Sequence, residues 1–287
     1  KFDRKEGNGI HFNNDTSNPQ SLSSNRVIDI ISDRNNDLWI ATFGGGLNKL
    51  VTDDNNGSDQ SKIQSTNFLR YRSNEINKFS LSDDKTISLF EDKDGSIWVG
   101  TFYGGLNKLD TNNKLLPADK AKFKSYQENK NLINTISDNT IMAIRQDSEG
   151  YLWIGTFGGG IDRLTVKTES FTNFSKIAVP LNSFTDVEIL SLFVDRSGIL
   201  WAGSHLGEGV TKIQKYYSKF ELINSRSGGG LKLNDDVVWS LFKDSKDNFW
   251  IGTYRGGVNV LNFATNQSKL YRELPDQINS INDNHIR

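Results

Sequence analysis

Short runs of alternating apolar and polar residues recur along the chain, and each run ends at a turn-forming phrase. The runs share two apolar positions that flank one small or polar residue, which is the pattern of a strand with one buried face. They are Ile28/Ile30, Ile87/Leu89, Met142/Ile144, Leu190/Leu192 and Trp239/Leu241. No window sustains a helical period, so the pattern predicts an all-β chain with few helices.

Each predicted first strand is followed by the same order of elements. An Asp-containing turn comes next, because an Asp carboxylate can bond the backbone N–H two residues further on. A Leu-Trp-Ile-Gly-Thr-like phrase then predicts a second strand, and a Gly-Gly hairpin that needs positive φ leads to a third. A fourth strand carries an aromatic marker such as Tyr71. One copy therefore predicts four antiparallel strands.

The same phrase occurs five times at a spacing of about 50 residues, which is the signature of a repeat architecture. Its tryptophans are Trp39, Trp98, Trp153, Trp201 and Trp250, and an Asp stands six residues before each of them. The repeat cores span 21–50, 80–109, 135–164, 183–213 and 232–261. Residues 1–287 are therefore predicted to form a β-propeller region of four-stranded antiparallel blades, a fragment of a larger array.

Residues that recur in every copy are expected to serve the fold. Each Trp is predicted to fill the space between adjacent blades, so Trp153→Ala should destabilise the protein by roughly 3–5 kcal/mol. Function is then to be sought where the copies differ.

Composition removes several classes of function. The 34 Lys and Arg residues nearly balance the 35 Asp and Glu residues, and a net charge of −1 gives no overall field that would attract nucleic acid. The chain has no Cys, and its three His are scattered. The calcium-like start at 92–95 has Tyr103 where the acidic twelfth residue of such a loop should stand. We therefore predict no catalytic residue, no metal site and no cofactor.

The turn after the second strand differs most between copies. In a propeller this turn and the loop entering the blade lie on one face, where small-molecule sites are common. Candidate ligand-binding residues there are Phe43, Phe102, Tyr103, Phe157, His205, Tyr254 and Arg255. Aromatic rings can stack on sugar faces, and Arg and His can bond acidic substituents. The alternative is that these rings only cover the glycine hairpins.

Two segments after a third strand, 51–67 and 110–122, are rich in Asp, Asn, Ser and Lys. They are predicted to be mobile loops on the opposite face of the blades. Contact with a second propeller or a partner subunit is their functional interpretation.

The phrase Asp-x-x-Gly-x-Leu-Trp-Ile-Gly-Thr-x-x-Gly-Gly-Leu, preceded by Leu-Ser-x-Asn-x-Ile, resembles the repeat of the two-component regulator propellers. The resemblance covers nearly the whole chain, and the fourth copy departs from it by one extra residue within 205–209. It implies the periplasmic sensor region of an inner-membrane hybrid histidine kinase, with the membrane span and the kinase in other segments. It also implies glycan-derived oligosaccharides as ligands, and other blades or domains of the full-length protein as partners.

Propellers of this family usually have seven blades, so the five copies are expected to belong to a seven-bladed or tandem array. The sequence leaves open whether they close, form an open arc or complete one another in a homodimer. The expected function is sensing, by a region that is not itself an enzyme. A glycan-active propeller enzyme, lyase or glycosidase, and a protein-interaction scaffold without a small-molecule site are the alternatives.

Overall fold

The computed structural model describes residues 11–52, 66–132, 134–174, 188–205, 209–213, 221–227, 230–275, 277 and 280–287. Within these residues the chain is all-β apart from one 3-10 turn, Asn113–Leu115. The chain divides into two compact units, Lys1–Tyr126 and Gln127–Arg287. Each four-stranded sheet lies within one of the two units.

The first unit contains two antiparallel sheets. The first sheet consists of β1 (Val27–Ser32), β2 (Leu38–Thr42), β3 (Gly46–Thr52) and β4 (Thr66–Tyr71). The second consists of β5 (Thr86–Glu91), β6 (Ile97–Thr101), β7 (Leu106–Leu109) and β8 (Phe123–Tyr126). Strands that follow one another in sequence are neighbours in each sheet, so each sheet is a meander.

The second unit contains three sheets of the same kind. The first of these consists of β9 (Ile141–Gln146), β10 (Leu152–Thr156), β11 (Ile161–Thr165) and β12 (Ser170–Asn173). The next consists of β13 (Ile189–Val194), β14 (Leu200–Ser204), β15 (Val210–Ile213) and β16 (Glu221–Ile223). The last consists of β17 (Val238–Lys243), β18 (Asn248–Thr253), β19 (Val258–Asn262) and β20 (Gln267–Tyr271).

These sheets confirm the predicted all-β class and the four-stranded antiparallel blades. They are numbered here as blades one to five in chain order. Of the fourth predicted repeat core, residues 183–187 and 206–208 lie outside the described residues.

One aspartate ties each turn to the tryptophan that follows it. In blade three, Asp147 Oδ1 accepts the backbone N–H groups of Glu149 and Tyr151, both at 3.0 Å, and Oδ2 accepts the indole N–H of Trp153 at 2.8 Å. The other blades hold the same pair at 2.7 to 3.2 Å: Asp33–Trp39, Asp92–Trp98, Asp195–Trp201 and Asp244–Trp250. Because the indole N–H is satisfied within its own blade, the ring can be buried without an unpaired donor.

Trp39, Trp153 and Trp201 fill seams between neighbouring sheets, as predicted. In the first unit, Trp39 is fully buried and packs in one apolar cluster with Leu81 and Leu89 of the second blade. In the second unit, Trp153 packs with Leu192 and Leu200 of the fourth blade. The blades therefore share their apolar cores across these seams.

The prediction of a mobile loop at 110–122 is wrong. This segment forms the 3-10 turn, and it places Lys114, which is 1% exposed, against Asp33 at 2.9 Å and Glu91 at 3.3 Å. A buried ammonium group is tolerated because two carboxylates neutralise it. Burial alone would raise the pKa of Asp33, but hydrogen bonds from Lys114 and Trp39 outweigh it and lower that pKa. The polar composition of 110–122 gives no sign that Lys114 is buried in an ion cluster. Residues 53–65 of the other predicted loop lie outside the described residues.

Candidate functional site

The turn between the second and third strands is called the rim turn here. It comprises 43–46, 102–105, 157–160, 254–257 and, in blade four, the described residues 205 and 209. The first residue of each rim turn donates its backbone N–H to a carbonyl of the loop that enters the same blade, at 2.9 to 3.0 Å. These bonds are Phe43 to Arg26, Phe102 to Lys85, Phe157 to Thr140, His205 to Glu188 and Tyr254 to Val237. The rim turn and the entry loop of each blade therefore lie on one face, as predicted.

Thr and Gly residues fix the shape of the rim turns. In blade one, Thr42 Oγ1 donates to the carbonyl of Gly46 at 2.8 Å and closes the hairpin. Gly46 has φ of 77°, and a Cβ there would collide with the carbonyl oxygen of Tyr71. The last glycine of every rim turn has the same conformation, with φ between 76° and 80°. The repeated residues thus hold a rigid turn from which the variable side chains project.

The rim of the first unit carries an aromatic cluster with two cations. Phe43 and Phe102 meet edge to face with ring centroids 5.6 Å apart, and Phe102 contacts Tyr103 at 4.5 Å. The guanidinium of Arg26 lies 4.4 Å from the centre of the Phe43 ring, and the ammonium of Lys85 lies 4.7 Å from that of Tyr103. Tyr103 is 62% exposed. These five residues are called the first rim cluster.

Carboxylates beside the first rim cluster are occupied by other groups. Asp83 accepts the backbone N–H groups of Lys85 at 2.9 Å and Tyr103 at 3.0 Å. Asp84 accepts the backbone N–H of Ser73 at 2.7 Å and pairs with Arg72 at 3.4 Å. Both aspartates therefore shape the loops that hold the cluster.

The rim of blade five carries a second cluster of similar chemistry. Tyr254 contacts Trp239 at 4.8 Å and His285 at 4.7 Å between ring centroids. The guanidinium of Arg255 lies 5.0 Å from the centre of the Tyr254 ring, and that of Arg287 lies 4.6 Å from that of Trp239. Trp239, Tyr254, Arg255, His285 and Arg287 are called the second rim cluster.

Aspartates also shape the loops of the second rim cluster. Asp235 accepts the backbone N–H groups of Val237 at 3.1 Å and Arg255 at 2.6 Å. Asp283 accepts the backbone N–H of His285 at 2.9 Å and contacts its Nδ1 at 2.8 Å. These bonds, the backbone bond first, lower the pKa of Asp283.

The remaining predicted residues form a pair in the second unit. The rings of Phe157 and His205 are 5.2 Å apart. His205 Nδ1 lies 2.8 Å from Glu188 Oε2, so a carboxylate orients the imidazole. The structure thus distributes the seven predicted residues over the first rim cluster, this pair and the second rim cluster.

Sequence reasoning missed the part that Trp239 plays at the rim. A register shift between Val238 and Ser240 leaves Trp239 outside the ladder with β18, and such bulges re-aim side chains. The signal was present, because the other four copies have an aliphatic residue or Met at this position: Ile28, Ile87, Met142 and Leu190.

Two findings on the described part of the chain concern metal-ligand clusters and membrane-spanning helices. There, His, Asp and Glu side chains form no group of three or more that could hold a metal ion. In the calcium-like phrase, Asp92 accepts the backbone N–H groups of Asp94 and Ser96 and the indole N–H of Trp98. No described helix has the length and hydropathy of a membrane span.

The family comparison matches the segments that build the rims. A model described as two component regulator propeller matches residues 21–44, 80–103, 135–158 and 232–255. Four segments of the chain are therefore similar to the two-component regulator propeller repeat. Each matched segment of these repeats runs from the entry loop to the rim turn. Four of the five predicted cores are matched.

A curated relative of these repeats is a kinase. Histidine kinase P4 from Formosa agariphila is 27% identical over 330 residues, which cover 99% of this chain and 22% of the relative. The chain therefore spans about a fifth of the length of that protein.

Solved structures of similar fold include extracellular domains of hybrid two-component systems from B. thetaiotaomicron. The domain of BT3049 superposes with a TM-score of 0.59 at 21% identity, over 92% of this chain and 37% of that domain. The domain of BT4673 superposes with a TM-score of 0.63 at 23% identity, over 89% of this chain and 30% of that domain. A streptogramin B lyase superposes with a TM-score of 0.59 at 17% identity, over 92% of this chain and 72% of the lyase. At these identities the likeness shows the β-propeller fold alone.

Proposed function

We propose that this chain is part of the periplasmic sensor region of an inner-membrane hybrid two-component system, and that its rims bind glycan-derived oligosaccharides. One observation carries the proposal: the seam residues recur in every blade, whereas the rim residues differ and place aromatic rings beside hydrogen-bonding side chains. The kinase relative and the extracellular domains of similar fold support the sensing role.

The geometry of the rims suits a saccharide. The apolar C–H face of a pyranose packs against an aromatic ring, and its hydroxyl groups need donors and acceptors at the ring's edge. Tyr103 and Tyr254 offer such rings, with Lys85 and Arg255 beside them. A ring that only covered a glycine hairpin would be buried against it, and a Tyr103 ring that is 62% exposed favours ligand contact.

Binding would reach the kinase through the packing of the blades. A ligand can shift a conformational equilibrium only by binding one state more tightly than another. In blade one the rim turn hydrogen-bonds the entry loop of blade two as well as its own, since Gly44 donates its N–H to the carbonyl of Asp84 at 3.0 Å. A ligand that orders a rim would therefore also act on the seam behind it.

Calorimetric titration with a panel of oligosaccharides tests the proposal, with the products of each incubation analysed in parallel. We expect saturable binding without turnover, and at least a tenfold loss, about 1.4 kcal/mol, in a variant with Tyr254→Ala and Arg255→Ala. The variant should stay folded with a modestly lower melting temperature, because Arg255 is exposed while the half-buried Tyr254 ring packs against Trp239 and His285.

A matched control comes from Phe79, which lies beneath Lys78 at 5.1 Å. The carbonyl of Phe79 accepts the backbone N–H of Phe123. Phe123 pairs with Leu109, at the opposite end of β7 from Leu106, which follows the rim turn, so Phe79 lies far from the rim. Lys78→Ala with Phe79→Ala should leave binding unchanged. Equal binding by wild type and the rim variant contradicts the proposal. Product formation would favour the lyase or glycosidase, and assembly in light scattering regardless of sugar would favour the scaffold.

A further inference from the structure

Four cations at the rims lie on aromatic rings and form no salt bridge with a described residue. They are Arg26 over Phe43, Lys85 over Tyr103, Arg255 over Tyr254 and Arg287 over Trp239, at 4.4 to 5.0 Å. No described carboxylate forms an ion pair or accepts a hydrogen bond from any of these four side chains. Within the described part of the chain, each of them therefore keeps its charge unpaired.

Two lysines that lie over repeat tryptophans are paired with aspartates. Lys49 lies 5.3 Å from the centre of the Trp39 ring and pairs with Asp37 at 2.6 Å. Lys108 lies 5.6 Å from that of Trp98 and pairs with Asp110 at 2.7 Å. These two lysines are thus neutralised, whereas the four rim cations have no described carboxylate partner.

The rims also contain carboxylates, and three of them bond the backbone of their own loops. Asp83 and Asp235 each accept two backbone N–H groups, and these bonds hold the entry loop and the rim turn in place. Asp283 likewise accepts the backbone N–H of His285. These aspartates are fixed by their loops and leave the four cations to an anion from outside.

We propose that the saccharide recognised at the rims is acidic, bearing carboxylate or sulfate groups. This inference rests on the function proposed above and names the class of ligand. Guanidinium groups bind carboxylate and sulfate through two parallel hydrogen bonds, and the ring beneath each one limits its freedom before the ligand arrives. An exposed tyrosine beside a cation gives the arrangement that one acidic sugar residue needs, a stacking face next to an anion site.

The test compares acidic oligosaccharides with neutral forms of the same backbone. Oligogalacturonates are titrated against their methyl esters, and chondroitin sulfate oligosaccharides against unsulfated, esterified chondroitin. Wild-type protein should bind at least one acidic form about tenfold or more tightly than its neutral counterpart, and added salt should weaken that preference.

Charge-removing variants locate the preference. Two double variants remove these charges: Arg255→Gln with Arg287→Gln, and Arg26→Gln with Lys85→Gln. Both should fold, and at least one of them should lose the tenfold preference while still binding the neutral form. Lys78→Gln with Lys122→Gln is the matched control, because these lysines lie over Phe79 at 5.1 and 5.4 Å. It should keep the preference.

The outcomes separate this inference from the function beneath it. Equal affinity for acidic and neutral forms, or a preference that survives both charge-removing pairs, overturns the acidic ligand and leaves oligosaccharide binding standing. Failure of every oligosaccharide to bind overturns both.

Discussion

Trp153 in blade three and Trp250 in blade five occupy the same position of the repeat and differ in burial. Both donate the indole N–H to an aspartate six residues earlier, at 2.8 and 3.0 Å. Trp153 is 9% exposed and packs with Leu192 and Leu200 of the next blade. Trp250 is 36% exposed and stacks on Tyr271 of its own blade, with ring centroids 5.8 Å apart.

The comparison separates two kinds of structure. The bond between Asp and Trp is local, so every copy forms it from its own residues. Burial of the ring depends on contacts with a neighbouring blade, such as those of Trp153 with blade four. The residue that faces the tryptophan from the third strand also differs between the two blades. Arg163 lies opposite Trp153, and Val260 lies opposite Trp250.

Removing the two indoles should give the largest difference. Trp153→Ala should lower the free energy of unfolding by roughly 3–5 kcal/mol, since it empties a packed seam. Trp250→Ala should cost about 1–2 kcal/mol, because much of that ring is already in contact with water. Urea titrations of both variants measure the difference. Equal losses would mean that the seam does not set the contribution of the ring.

Changing the aspartates should give a smaller difference. In Asp147→Asn, the amide has only one oxygen. Either its N–H₂ faces the indole N–H of Trp153, or the amide rotates and its N–H₂ faces the backbone N–H groups of the turn. We expect the free energy of unfolding to fall by about 1–3 kcal/mol. Asp244→Asn should cost less, because water can replace the carboxylate at the exposed Trp250. The same urea titrations apply, with Asp247→Asn at an exposed turn position as the control. A larger loss at Asp244 would contradict the comparison.

The pH dependence of Asp244 should give the smallest effect. Hydrogen bonds from the Trp250 indole first, and then from Asn248, lower the pKa of this carboxyl from its usual value of 3.8. A lowered pKa means that the stabilisation is complete above pH 3.8 and is lost as the pH falls through the folded-state value. The stability gap between wild type and Asp244→Asn should therefore shrink from pH 6 to pH 2. A gap that widens with acid would show the opposite sign.

The repeat was predictable from sequence because its signals are local. Trp39 and the Asp33 turn recur at fixed spacing, and the strands and hairpins follow from them. Lys114 was not predictable, because the carboxylates of Asp33 and Glu91 that make its burial favourable are distant in sequence. A polar segment that a single buried ion cluster holds in place has the same composition as a mobile loop.

The candidate site was predictable in part. Residues of the rim turns, such as Tyr103 and Tyr254, stand out because they differ between copies. Trp239 joins them through a bulge, and no alternation of apolar residues shows where a bulge aims a side chain. Arg26 and Arg255 have no carboxylate partner among the described residues. This depends on which groups the oxygens of the neighbouring aspartates bond, and only the fold decides that.

Hydrogen–deuterium exchange, measured with and without a saturating bound oligosaccharide, tests most directly whether the repeated residues hold the blades and the variable rims bind the ligand. We expect the ligand to slow amide exchange in the rim turns 102–105 or 254–257 and in their entry loops, with little change at the far ends of the same strands. Slower exchange confined to those far ends, or to the turns that precede the second strands, would contradict the account.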